Sequence, residues 1–312
     1  MLTLLQVVLP VFLVTATGFT LVRTGYFKDN LIDGLNRYTQ AFAIPILLFN
    51  ATRNMDFTAV FDLGMLLSFY AAATTTFFLG ILGARAMFKR RPGEAVAIGF
   101  SSLFSNSVIL GIPIVERAYG PEALAAAIAI ISLHAPFCYL LGISMMEFSR
   151  TDGRGFAETA RAVLAAMLRN ALMVGIALGF AANLTGLRLP TPLEDSIDMV
   201  VGTALPVALF ALGGVLTRYR IRASIGEAAM TSVLSLVIHP AITFILAYFV
   251  FGLQPLFVKA AVTIAAMAPG VNTYICATLY ARAEGAAAST VMLATILSLL
   301  TTSVWLALLS ML

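Results

Sequence analysis

Apolar residues fill this chain in long unbroken stretches, and its polar residues gather in short breaks between them. Reading stretches against breaks gives ten segments, at about 2–22, 31–50, 58–85, 93–119, 122–147, 161–184, 194–217, 224–251, 255–280 and 286–311. A helix needs about 20 mostly apolar residues to cross the hydrocarbon core of a bilayer. Only helices and closed barrels satisfy the backbone there, and barrel strands would be short and alternating. The long continuous runs therefore predict an all-α membrane protein with ten transmembrane helices. The one extended polar break is 148–160, FSRTDGRGFAETA. It is expected to be a cytoplasmic linker between two five-helix halves, 1–147 and 161–312.

The halves repeat one another at an offset of 161 residues. AIPILLF at 43–49 falls on ALPVALF at 204–210, and ATGFTLVRTG at 16–25 falls on ALGFAANLTG at 177–186. At the same offset Tyr119 falls on Tyr280 and Ala125–Ala127 on Ala286–Ala288. Alanine is common here, so the last match says little; the two longer strings carry the reading. Five is an odd number of crossings, so the second half enters the membrane in the opposite direction. Two inverted repeats are a recurrent way to build a transporter with its site where the halves meet.

Composition agrees with lipid as the solvent. Of the 312 residues, 60% are hydrophobic and 11% charged, against about 25% charged in soluble domains. Basic residues orient the chain. With the N-terminus outside, only Arg53, Arg117, Arg188 and Lys259 face outward, leaving 15 of the 19 on the cytoplasmic side. The positive-inside rule supports that orientation, with both termini outside. The net charge of +4 reflects these flanking clusters rather than nucleic-acid binding.

Much ordinary site chemistry is missing from the sequence. Met1–Val22 lacks a basic start and a small-residue cleavage pattern, and is expected to be the first span. Cys138 and Cys276 lie in apolar runs and read as buried free thiols, with a disulfide between them the alternative. His134 and His239 are isolated, each close to a proline, and read as polar interhelical contacts. No Cys/His cluster has metal-ligand spacing, and no P-loop, dinucleotide fingerprint or G-x-S-x-G occurs. No catalytic residue, metal or cofactor is expected.

The fourth and ninth segments differ from the rest. The fourth contains SSLFSNSVILGIP at 101–113, with Ser105, Asn106 and Ser107 near its middle, then Gly111 and Pro113. The ninth contains APGVNTY at 268–274, with Pro269, Gly270, Asn272 and Thr273. Proline removes an amide donor and glycine adds backbone freedom, so both helices are expected to break at Gly111–Pro113 and at Pro269–Gly270. Irregular backbone at membrane depth is tolerated where it lines a cavity or is buried in protein. Paired interruptions in corresponding spans point to a transport site. Free amides at the half-helix starts suit an anion, and Ser105, Asn106, Ser107, Asn272 and Thr273 would add neutral donors. A proline kink held by an asparagine is the competing reading; the symmetric pairing favours a site. Pro45 and Pro206, with Asn50 nearby, are expected to line the same cavity or merely to kink their helices. Arg53 and Arg117 read as interfacial anchors or as cations that attract an anion. The acidic residues all lie near segment ends. Cation exchangers usually need a carboxylate deep in the membrane, so the substrate is expected to be anionic or neutral.

At these motifs the chain resembles the auxin efflux carrier family, which includes plant auxin carriers and bacterial permeases for malonate, malate and similar acids. The resemblance lies in AIPILLFN at 43–50, SNSVILGIPIVERAYG at 105–120, ALPVALFALGGVL at 204–216 and the long stretch from AMAPGVNTY at 266 to residue 301. It implies spans 1, 2, 6 and 7 as a scaffold and spans 3–5 and 8–10 as a moving transport domain. It also implies a substrate carboxylate held near Asn106, where spans 4 and 9 cross. The long cytoplasmic loop of plant members is absent, which suits a bacterial permease in the cytoplasmic membrane.

The expected function is therefore secondary transport of small mono- or dicarboxylates by alternating access. The expected partners are an organic anion, the lipid bilayer, a coupling proton or sodium ion, and a second copy of the chain in a homodimer. Two rivals remain open: a sodium-coupled symporter of the bile-acid type, and a membrane sensor that binds an anion without moving it. An intramembrane enzyme lacks any visible nucleophile–base or metal constellation.

Overall fold

The computed structural model describes residues 2–149, 161, 170–219 and 224–312. Most of the expected 148–160 linker and the start of the sixth segment lie outside the described residues, as do Arg150, Arg154, Arg169, Arg220 and Arg222 of the charge argument. The described residues form helix and no strand. Among them six helical runs are long and apolar enough to cross a membrane: Gln6–Arg23, Leu63–Ala86, Ser107–Phe148, Thr191–Leu216, Ile225–Val250 and Glu284–Leu309. Shorter helices occupy the other apolar segments, among them Pro92–Leu103, Ala171–Leu184, Pro255–Ala265 and Val271–Leu279.

Local sequence sets these boundaries. Asp62 caps the Leu63–Ala86 helix by accepting from Met65 N–H at 2.7 Å, and Asn170 accepts from Leu172 N–H at 3.0 Å. Ser107–Phe148 joins the second part of the expected fourth span to the fifth in one run, bent where Gly120 takes φ 80° ahead of Pro121. A left-handed residue followed by proline stops one helix and starts another.

The chain divides into two compact units. The smaller comprises Pro10–Val60 and Leu164–Arg218. Its helices pack backbone against backbone through glycine. A Cβ on Gly18 would collide with the Phe210 carbonyl, and one on Gly179 would lie 2.7 Å from the Phe49 carbonyl. At the 161-residue offset Gly18 falls on Gly179 and Phe49 on Phe210, so these two contacts exchange with each other. The larger unit comprises Met1–Leu9, Phe61–Val163 and Tyr219–Leu312. Here a Cβ on Gly80 would lie 2.8 Å from Gly99 Cα. Across that crossing Ser102 Oγ donates to the Thr76 carbonyl at 2.9 Å and Thr76 Oγ1 to the Ser102 carbonyl at 3.2 Å. Lipid tails are as apolar as leucine, so close packing of small residues and interhelical hydrogen bonds hold such helices together.

Candidate functional site

The larger unit contains two helix interruptions, and they meet. The Pro92–Leu103 helix ends at Phe104, whose ψ of 90° is extended, and helix resumes at Ser107. The Pro255–Ala265 helix ends near Ala266, and Val271–Leu279 begins after Pro269 and Gly270. Between the two gaps Asn106 N–H donates to the Ala268 carbonyl at 2.7 Å, and Gly270 N–H to the Phe104 carbonyl at 3.2 Å. Ser105 and Pro269 thus form an isolated antiparallel bridge. Each interruption satisfies part of the other's freed backbone, which is what makes irregular chain tolerable away from water.

The crossing brings together most of the residues expected from sequence. Asn106 is 8% exposed, Ser107 3% and Ser105 4%. Among the described residues, the side chains of Asn106 and Ser107 make no hydrogen bond, so their donors remain available to a ligand. Gly270 lies against Asn106: a Cβ there would sit 3.4 Å from Asn106 Cβ and 3.5 Å from Cγ. Ser107 and Val271 open new helices, whose first amides have no partner within the helix and carry partial positive charge. Asn272 is half-buried beside them. Thr273 is fully buried, but its hydroxyl donates to the Gly270 carbonyl, which secures the turn and leaves less for a ligand.

Other expectations change. Gly111 and Pro113 do not break the fourth segment; both lie inside the Ser107–Phe148 helical run. The gap falls at 104–106, where the serines and asparagine lie. A π-type turn over Ser107–Gly111 precedes Pro113 and widens the helix enough to accept the ring. Gly111 serves packing, since a Cβ there would come within 2.7 Å of Ile264 Cδ1.

Pro45, Asn50 and Pro206 belong to the smaller unit. Pro45 lines an apolar cavity of about 550 Å³ with Ala41, Phe49, Ala171, Gly175 and Ile197; neither Asn50 nor Pro206 is part of its lining. Pro206 sits exposed in the uninterrupted Thr191–Leu216 helix. Asn50 donates to Asp198 at 3.2 Å and accepts from Arg53 at 3.2 Å. Arg53 also pairs with Glu194 at 3.1 Å. Arg117, in the larger unit, donates to the carbonyls of Gln6 and Val7 at 3.1 and 3.2 Å. Both arginines are thus held by their own unit. Sequence reasoning did not connect His134 to the crossing, although its Nε2 lies 3.3 Å from Ser105 Oγ. An imidazole just ahead of Pro136 was the available signal.

Comparison with known proteins bears on what this crossing serves. A family profile described as membrane transport protein matches residues 3–306. A protein of Rhizobium meliloti (strain 1021) named "Putative malonate transporter" is 23% identical over 292 residues, 91% of each chain. An "Uncharacterized transporter" of Methanothermobacter thermautotrophicus is 28% identical over 252 residues, 78% of this chain and 79% of that one. "Auxin efflux carrier component 3a" of rice, Oryza sativa subsp. japonica, is 27% identical over 155 residues, 47% of this chain and 24% of that protein.

Proposed function

The chain belongs to the membrane transport protein family, that of the auxin efflux carriers, and from that premise we propose that it moves small carboxylates across a membrane as a secondary transporter. The observation that carries this reading is the mutual backbone pairing of two helix interruptions at Ser105 and Pro269. Such a crossing presents two half-helix N-termini and an unpaired asparagine amide in one place. A carboxylate accepts from both kinds of donor, and charge-assisted hydrogen bonds are about twice as strong as neutral ones. In this reading Asn106 and the Ser107 and Val108 amides hold the carboxylate. Asn272 and the amides after Gly270 complete the site from the opposite segment. Resemblance to a protein named for malonate supports a short dicarboxylate as the cargo.

The two compact units supply a division of labour. The unit that holds the crossing moves as a body and exposes the site alternately, while the glycine-packed unit stays fixed in the bilayer. The exchange of the Gly18–Phe210 and Gly179–Phe49 contacts under the repeat offset supports two halves related by an inverted two-fold. Such a relation lets the inward- and outward-facing states interconvert by exchanging the conformations of the two halves, as alternating access requires.

Counterflow in proteoliposomes tests the reading. Vesicles loaded with malonate or malate should take up the labelled acid well above empty vesicles. A purified protein that binds these acids, shown by a raised melting temperature, yet gives no flux would be a sensor instead.

A further inference from the structure

Two histidines lie in the membrane-spanning part of the larger unit, and the transport reading uses neither. His134 is 2% exposed, with Nε2 beside Ser105 Oγ at 3.3 Å. His239 is 1% exposed, and its Nε2 is buried with no hydrogen-bond partner among the described residues. One ring joins them. Phe69 packs edge-on to His134 at 5.5 Å between centroids and lies against His239 at 5.0 Å. Phe104, at the edge of the helix gap, meets His134 edge-on at 4.9 Å. The titratable groups that face the pair are few. Cys138, on the helix of His134, places Sγ 3.6 Å from Nδ1. Tyr70, from the Leu63–Ala86 helix, stacks at 6.5 Å, and its hydroxyl donates a hydrogen bond to the Ile130 carbonyl. Tyr139 packs on Phe104. Among the described residues no carboxylate or basic side chain contacts either imidazole.

We propose that this imidazole pair binds a proton and that the protein carries that proton together with its organic anion. The inference rests on the carboxylate reading above and names its coupling ion. The chemistry turns on Ser105. With the neutral ring carrying its proton on Nδ1, Nε2 accepts the hydrogen bond of the Ser105 hydroxyl, whereas the protonated ring donates to the serine oxygen. Protonating His134 therefore reverses this hydrogen bond and frees the Ser105 O–H to donate elsewhere, one residue from Asn106. A lone charge buried at either place is unfavourable, but an imidazolium and a carboxylate brought in together compensate one another. Each ligand then tightens the other by the same factor. His239, with an open acceptor against the same phenylalanine, provides the second station for the proton. The sign follows: the anion binds more tightly as pH falls, because its binding takes up a proton.

The experiment uses the full chain in proteoliposomes with labelled malonate and malate, a trapped pH dye, and three conditions: counterflow, an acid-outside gradient and an inward sodium gradient. Wild-type protein should accumulate the acid at least tenfold under the proton gradient, and the dye should report acidification in step with uptake. His134→Gln keeps an amide within reach of Ser105 but does not titrate. It should lower the ratio of gradient-driven uptake to counterflow at least tenfold, and His239→Gln should lower it as well. Wild-type counterflow with no proton movement, or accumulation driven by sodium alone, would overturn the proposal while leaving the transport reading intact. So would an unchanged ratio in His134→Gln. If that variant fails to fold, His239→Gln carries the test, and an unchanged ratio there would overturn the proposal. Absence of wild-type counterflow would remove the transport reading and this inference with it.

Discussion

Asn106 stands where three constraints meet: its amide N–H pairs with Ala268, its carbonyl accepts from Leu110 and Gly111, each at 3.2 Å, and its side chain rests against Gly270. The main chain is thus fully used while the side-chain amide is not. Asn106→Ala should cut flux at least tenfold with expression retained, since a hydrogen bond to a charged group is worth about 1.5–3 kcal/mol. Asn106→Asp keeps the shape but sets a negative charge against the carboxylate, and should abolish binding in a thermal-shift assay. Wild-type flux in a well-expressed Asn106→Ala protein would remove this residue from the site. Gly270 tests the same point from the other interruption. Its φ of −84° suits any residue, and an alanine Cβ would make ordinary contact. Gly270→Ala should therefore fold normally, whereas Gly270→Val should push Asn106 aside and weaken binding at least tenfold in the same assay.

At the scale of elements, three prolines, Pro45, Pro113 and Pro240, sit inside helical runs without breaking them. The π-type turns over Thr39–Ala43, Ser107–Gly111 and Leu234–Ile238 each end two residues before a proline, at Pro45, Pro113 and Pro240. Proline lacks an N–H and crowds the carbonyl four residues back; a π turn opens that spot. The breaks occur instead where polar side chains and a crossing partner can replace helical hydrogen bonds. Pro113→Ala should accordingly leave flux within about threefold of wild type, since a helix already runs through it, and restoring one intrahelical bond is worth only about 0.5–1.5 kcal/mol. Counterflow measured beside Asn106→Ala separates the two positions. A proline signal and a break signal lay eight residues apart in one string, and without the partner segment nothing in that string ranked them.

At the scale of the molecule, the matched strings of the repeat turn out to be each other's packing surfaces. ATGFTLVRTG contains Gly18 and packs on Phe210 of ALPVALF; ALGFAANLTG contains Gly179 and packs on Phe49 of AIPILLF. The pairing explains why these strings resemble one another: a symmetric contact needs the same small residue and the same carbonyl twice. Gly18→Leu and Gly179→Leu should each destabilise the protein by about 3 kcal/mol, the upper part of the usual range for overpacking, read as a lowered melting temperature in detergent. Similar losses from both would reflect the symmetry. A loss confined to one variant would count against it.

The sequence by itself determined the class, the apolar segments and the two segments whose helices are interrupted. Those follow from local rules: long continuous apolar runs satisfy their backbone in lipid only as helix, and a cluster such as Ser105, Asn106 and Ser107 in mid-segment demands a partner. Only the tertiary structure decided which partner it is. Ala268 and Gly270 close the break at Phe104–Asn106 through main-chain hydrogen bonds that leave no mark in residue type. It likewise decided that Arg53 and Arg117 are held within their units, and that His134 lies beside Ser105 rather than in an unrelated contact. Such juxtapositions depend on how helices cross, and crossing is set by the summed packing of many small residues rather than by any single stretch of chain.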